Sequence, residues 1–310
     1  MSQVLQAEPG VVRPRRAADD AEPAAHPVLP RLWQAALLIG LLSWLYFPTV
    51  TRLLAQWWHD PNFSHGFFVP LFAGFLLWQD RLRLAAIKPH PSWAGLPTLI
   101  FGLFMLVVGQ LGAEIFLSRL SLLIVMAGLI GFLAGWNFFH AVLFPWAFLL
   151  LMIPIPNIVF SQITFPLQIL ASKLAAVTLP WLGVHVLRQG NVILLPAMAL
   201  EVADACSGIR SLMSLVTLSI IYGYVMEHSL RMRVVLALAA VPIAIVANSL
   251  RILGSGLLVQ YWDPDKAEGF FHTFQGWIIF VASLGMLYLL HRCIRMIWPE
   301  KAWPEKKTEP

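Results

Sequence analysis

Runs of about 20 apolar residues, the length that crosses a hydrocarbon core of roughly 30 Å, recur along this chain from residue 32 to residue 296. In lipid every backbone N–H and C=O must be satisfied within the protein, so only helices and closed barrels cross. Runs this long are helical, since barrel strands are shorter and alternate. The sequence therefore predicts an all-α polytopic membrane protein. Eight spans are expected, near 32–50, 66–79, 94–112, 119–135, 138–154, 208–227, 232–258 and 273–296. A hydrophobic content of 59% against 12% charged residues fits lipid as the solvent and no ordinary soluble domain.

The stretch 158–182 is long enough for a further span, yet it carries Gln162, Gln168, Ser172 and Lys173, with Pro166 in its interior. Charge decides the expectation, because Lys and Arg gather on the cytoplasmic side. That rule puts Arg13, Arg15, Arg16 and Arg31 inside, then Arg81, Arg83 and Lys88, then Arg231 and Arg233, and finally Arg292, Arg295, Lys301, Lys306 and Lys307. These demands agree only if 155–206 begins and ends outside, so 158–182 is expected to be an interfacial or re-entrant helix. Segments 51–65, 155–206 and 259–272 then face the extracytoplasmic side. Within the second, Gly190-Asn191 between β-branched flanks suggests a small extracytoplasmic hairpin. The domain reading is a disordered cytoplasmic tail over 1–31, rich in Pro, Ala and Arg and unlike a signal peptide, a membrane-embedded domain over 32–296, and a cytoplasmic basic tail over 297–310.

The net charge of +5 lies between apolar runs and forms no stripe with interleaved aromatics, so membrane lipid is an expected partner and nucleic acid is not. Two cysteines, Cys206 and Cys293, exclude a disulfide framework and a cysteine-rich metal site. Cys293 falls near the inner end of the last span, about a bilayer thickness from Cys206, and is assigned to packing.

Three polar clusters stand where consecutive spans approach the outer surface. The first is Glu201-Val-Ala-Asp204-Ala-Cys206-Ser207-Gly208-Ile-Arg210-Ser211. With Asp204 or Ser207 as a helix cap, the Cys206 sulfur lies near unpaired amides that lower a thiol pKa and can stabilise an oxyanion. The plainer reading makes Cys206 a small buried hydrophobe, and Arg210 an ion-pair partner of Glu201 or Asp204. The second cluster, Asn248-Ser249-Leu-Arg251-Ile252, puts Asn248 and Arg251 on one face of an apolar helix. An intramembrane arginine costs at least about 2.5 to 3.5 kcal/mol on insertion scales and is a functional hypothesis by default, with snorkelling to the interface as the alternative.

The third cluster, Phe271-His272-Thr273-Phe274-Gln275-Gly276, opens the last span. A histidine at a helix N-terminus tends toward the neutral form and can pass a proton. A nucleophile, a fixed cation and an imidazole at one depth are the parts of covalent acyl transfer. A fourth cluster, Asp60-Pro61-Asn62-Phe63-Ser64-His65-Gly66, offers a competing imidazole. Even with His59 it shows no thiolate or HExxH-like spacing, so a structural or substrate-positioning turn is expected there and a metal is not.

Together, Ala-Cys206-Ser-Gly-Ile-Arg-Ser, Asn-Ser-Leu-Arg251-Ile, and His272 with Gly276 four residues later resemble the bacterial exosortase family, and the segment from Asp60 resembles that family's N-terminal signature. The resemblance covers about residues 32–296 in the expected motif order. It implies a multi-pass enzyme of the bacterial inner membrane with its active site facing the periplasm, and no cofactor. Its partners would be exported proteins bearing a C-terminal Pro-Glu-Pro motif, a transmembrane helix and a basic tail, usually alongside exopolysaccharide production. By position it implies Cys206 as the nucleophile that forms an acyl-thioester, with Arg251 and His272 completing the catalytic set. His272 matches the bacterial branch, since archaeal relatives typically have arginine there. Candidate substrate-binding residues are Arg210, Arg188, Asp60, Ser64, His65 and Asn248, with Arg210 or Arg188 for the substrate's glutamate.

Two other classes stay open on the sequence. A channel, transporter or polysaccharide-export scaffold would line a polar path with the same Arg and His, although the paired broken helices of transporters are not found. A membrane acyltransferase using His65 or His272 without a covalent cysteine would stay active as Cys206→Ala or Cys206→Ser.

Overall fold

The computed structural model describes residues 28–196, 198–202, 209–261 and 270–298. Its helices are α1 (Val28–His59), α2 (Phe68–Gln79), α3 (Arg81–Ala85), α4 (Gly95–Leu111), α5 (Ile115–Leu133), α6 (Trp136–Ala141), α7 (Leu143–Phe148), α8 (Asn157–Thr178), α9 (Ile209–Met226), α10 (Leu230–Tyr261) and α11 (Phe270–Ile297). Short 3-10 helices occupy Pro61–Phe67, Leu149–Met152 and Leu179–Leu182. The chain divides into two compact units, Met1–Phe47 and Pro48–Pro310. The first holds the beginning of α1, where Trp33, Leu37, Ile39, Trp44 and Phe47 are exposed.

The second unit has the polarity of a protein dissolved in lipid. Phe68, Leu71, Trp78, Phe104, Leu238 and Trp277 lie on its surface, while Ser121, Thr164, Ser219 and Ser283 are buried. Each of these hydroxyls donates to a carbonyl of its own helix: Ser121 to Ser118 at 2.8 Å, Thr164 to Phe160 at 2.7 Å, Ser219 to Val216 at 2.8 Å and Ser283 to Ile279 at 2.7 Å. These four hydroxyls therefore sit between helices without an unpaired donor, as interiors of membrane helix bundles favour.

Six helices are long and apolar enough to cross a membrane: Ala36–His59, Ile115–Leu133, Asn157–Leu182, Ile209–Met226, Leu230–Tyr261 and Gly276–Ile297. The chain is a multi-pass, all-α membrane protein, but the set differs from the eight expected spans. Segment 66–79 yields only the 12 residues of α2, and 94–112 the 17 of α4. Segment 138–154 breaks into α6, α7 and a 3-10 helix. Pro145 explains the first break, because it has no N–H to give the carbonyl of Ala141, where α6 ends. Conversely 158–182, expected to be interfacial or re-entrant, forms one of the six long helices. Thr164, Gln168 and Ser172, three of the polar residues in this stretch, are buried against protein. Cys293 is exposed on α11, which corrects its assignment to packing.

The most intimate helix pair is α4 with α5, where Gly95, Gly102 and Gly109 recur at every seventh residue of α4. On α5, a Cβ added at Gly128 would run into the backbone of Leu99. After α8 the chain enters a three-stranded antiparallel sheet, β1 (Leu187–Gln189), β2 (Val192–Leu194) and β3 (Ala199–Glu201), in that spatial order. Gly190, at φ 63°, supplies the left-handed residue of the β1–β2 turn, and its carbonyl accepts from Ser172 Oγ of α8 at 3.0 Å. Ile193, Leu195 and Val202 pack with Ala171, Ala175 and Leu179 and with Ile252 and Val259 of α10. The sheet is thereby fixed beside the part of α10 that carries Arg251.

Gly128→Val should lower the melting temperature in detergent by several degrees, since overpacking costs about 1–3 kcal/mol and here the obstacle is backbone. Gly74→Ala is the control, because nothing lies within 4 Å of a Cβ there, and it should leave melting unchanged.

Candidate active site

One end of α9, α10 and α11 meets the Pro61–Phe67 helix around a cleft of about 300 Å³. Its walls are Ser64 from the 3-10 helix, Arg210, Ser211 and Ser214 from α9, Arg251 from α10, and Gly276, Trp277 and Phe280 from α11. Two guanidinium groups and no carboxylate line it among the described residues, so the cleft favours an anion. Trp277 and Phe280 add apolar walls on one side.

Each wall has a local cause. Asp60 caps the 3-10 helix by accepting the N–H of Asn62 at 2.9 Å, with Pro61 at its first position, where no donor is needed. Ser64 Oγ donates to the Pro61 carbonyl at 3.1 Å. Gly66 is required because the indole of Trp57 fills the space of a side chain, held there by Nε1 donating to the Met152 carbonyl at 3.0 Å. Arg210 lies in the first turn of α9 and its Nε reaches Asn62 Oδ1 at 3.5 Å, which ties that helix to the turn. Arg251 is 8% exposed, deep in α10, with Asn248 and Ser249 buried on the preceding turn.

The four sequence clusters are thus represented unequally. Ser64, Arg210, Arg251 and Gly276 come together. Asp60 acts through the turn it caps, and Asn248 is buried one turn from Arg251. Arg188 is exposed on β1, gives its Nη1 to the Gly190 carbonyl at 2.7 Å, and does not line the cleft. Cys206, Asp204 and Ser207 lie outside the described residues, and His272 falls within α11 with its side chain outside those described. Ser214, Trp277 and Phe280 were missed by sequence reasoning. Ser214 was legible as one turn beyond Arg210, whereas Trp277 and Phe280 look like any lipid-facing aromatics.

His65 is buried at 6% exposure. Burial pushes its imidazole below the ordinary value of 6.5, and backbone groups of Leu151 and Asn62, which favour the charged ring, do not offset this. A neutral imidazole shut away beside the cleft suits a structural part of the turn.

A family model described as transmembrane exosortase matches residues 57–289, three quarters of the chain, and spans the turn, the cleft and every helix that lines it. The chain belongs to the transmembrane exosortase family. No curated protein and no solved structure matches it. Within this exosortase the matched region begins at Trp57, the residue whose indole covers Gly66, and includes α9, α10 and the cleft-lining part of α11.

The buried His65 makes stability depend on pH with a definite sign. Below about pH 6.5, the ordinary imidazole value, the unfolded chain takes up a proton that the folded His65 resists. Stability is therefore full above that pH and falls as the pH drops through it. Melting curves between pH 7.5 and 5.5 should fall more steeply for the wild type than for His65→Gln, and parallel curves would remove His65 as the cause.

Proposed function

We propose that this exosortase is a cysteine peptidase or transpeptidase that cleaves exported proteins at a C-terminal Pro-Glu-Pro signal through an acyl-thioester on Cys206. Its cleft faces the periplasm from the inner membrane, and the work accompanies exopolysaccharide production. The observation that carries the reading is the cleft with two arginines. Cys206 precedes Arg210 by four residues, and His272 precedes Gly276 by four. Four residues of chain reach at most about 14 Å, which supports reading both as groups that act at the cleft. The segment holding Cys206 is anchored at each end, by Val202 at 1% exposure and Ile209 at 2%.

In the proposed reaction the Cys206 thiolate attacks the carbonyl carbon of the scissile bond, and the oxygen becomes an oxyanion. Arg251, permanently charged and largely withdrawn from solvent, stabilises that oxygen. The C–N bond breaks as His272 gives a proton to the leaving amine. A second nucleophile, water or an amine, then loses its proton to His272, attacks the thioester and restores the thiolate. Arg210, exposed and near only Asn62 among the described polar partners, receives the substrate glutamate, while Trp277 and Phe280 pack on the flanking prolines. The sorting helix of the substrate lies alongside the spans in lipid, so its motif arrives at the depth of the cleft.

Processing of a tagged substrate carrying a Pro-Glu-Pro tail, compared at equal membrane abundance, tests this. Cys206→Ala should abolish cleavage and thioester trapping, and Arg251→Ala should lower kcat by about 10²–10³, the size of a lost oxyanion donor. Arg210→Gln should raise KM about tenfold with kcat retained, the signature of lost ground-state binding. Cleavage that survives in Cys206→Ala overturns the thiol mechanism. A wild type that cleaves no such substrate returns the exosortase to a transport or scaffold role.

A further inference from the structure

The helices that build the cleft meet again at their other end in an ion network that the proposed chemistry does not use. Glu227 follows directly on α9 and is 2% exposed. Its Oε1 accepts from His291 Nε2 at 2.5 Å and from Arg295 Nε at 2.8 Å, and its Oε2 accepts from Arg295 Nη2 at 3.0 Å. Tyr222 Oη of α9 and His291 Nδ1 of α11 stand 2.7 Å apart. From α10, Arg233 Nε donates to the Glu227 carbonyl at 2.7 Å and Nη2 to the Tyr224 carbonyl at 3.3 Å. Its guanidinium also lies 4.4 Å from the centre of the Tyr224 ring.

We propose that Glu227 is a positioning residue that sets the axial register of α9 against α11, and through it the width of the cleft. Apolar side chains packed in lipid tolerate sliding, because every displaced contact is replaced by another of the same kind. A carboxylate that grips a guanidinium with both oxygens tolerates none, since two parallel hydrogen bonds fix distance and angle together. Burying such charges costs more than packing leucines in their place, and a device of this kind is retained for specificity of arrangement rather than stability. The same helices carry the effect across the protein. The cleft takes Arg210, Ser211 and Ser214 from the start of α9 and Trp277 and Phe280 from the early part of α11, whereas Glu227 holds the ends of both. About 27 Å of rigid helix, at 1.5 Å per residue, connects the two ends of α9.

The activity arm of the test rests on the peptidase reading, so the first arm is independent of turnover. Cysteines are placed at Ser214 of α9 and Phe280 of α11, both of which line the cleft, in a Cys206→Ser, Cys293→Ser background and joined with a short bis-thiol reagent. Glu227→Gln should lower the cross-link yield about threefold or more at unchanged membrane abundance. An unchanged yield overturns the inference. If Glu227→Gln does not accumulate, Arg295→Lys is the variant to use. It keeps both charges but gives up the paired hydrogen bonds, so it should lower the yield in the same sense, and a yield equal to the parent overturns the inference.

In the chain with both native cysteines, Glu227→Gln should lower kcat about tenfold or more while KM stays within about twofold, as expected for misplacement of reacting groups on the order of 1 Å. A residue that only stabilised the fold would leave kcat per folded molecule unchanged, and that result also overturns the inference. A wild type without turnover would sink the peptidase reading and leave the cross-link to decide the register.

Discussion

Arg251 is a permanent cation at 8% exposure on a helix whose exposed apolar residues are mainly leucine and valine, and most of the architecture follows from keeping it there. A guanidinium cannot shed its proton to escape lipid, so the helix that carries it needs polar surroundings and a route for water. The cleft beside α9 and α11 supplies the route, and the buried Asn248 and Ser249 supply polarity on the adjoining turn. The sheet after α8 closes the same stretch of α10 on another side through Ile193, Leu195 and Val202. Among the described residues, the cleft beside the cation is bounded by serines, aromatics and a second arginine.

The two arginines of the cleft divide by environment. Arg210 is exposed and reaches one side-chain amide at 3.5 Å, so an incoming carboxylate meets a guanidinium that water still screens and that can adjust. Arg251 is largely withdrawn from water, where an effective dielectric well below that of bulk solvent makes its field on a neighbouring atom several times stronger. An adjustable cation suits recognition of a charged side chain, and a fixed, desolvated one suits a charge that exists only in a transition state. This asymmetry, rather than the bare presence of two arginines, favours a reaction over passive conduction.

Legibility in the sequence followed polarity in apolar context. The Asn248–Arg251 pair, the Arg210 cluster and the turn from Asp60 stood out because lipid makes each polar residue expensive, and each of the four clusters contributes at least one described residue to the cleft. A count of polar residues does not say which way they face. Gln168 and Ser172 made 158–182 ambiguous as a span and charge decided against a crossing, whereas α8 buries both residues and is long and apolar enough to cross. Over 138–154 the helix is interrupted by one missing donor at Pro145, a local break that mean hydropathy does not register. Glu227 does not stand out in the sequence, because Arg231 and Arg233 next to it read as markers of orientation. Its partners His291 and Arg295 lie 64 and 68 residues further on, and nothing at the level of spacing joins them.

The same physics explains why the charges of these helices stand in two groups, Arg210 and Arg251 by the cleft and Glu227, Arg233, His291 and Arg295 toward the other end. Near the middle of a bilayer an ionic group has neither water nor headgroups within reach, whereas a turn or two from either surface its cost falls and its field is still poorly screened. One end can then be spent on a site that must stay partly open, and the other on a network closed around Glu227, whose carboxylate is fully engaged. An open site lacks the contacts that would hold its own walls at fixed separation. The closed network supplies that constraint from a distance, because helices with their backbone bonds satisfied internally transmit axial position along their length. On this argument the accuracy of the cleft is set by an ionic network at the far end of its helices, and the cleft itself is left free to admit a substrate from the membrane.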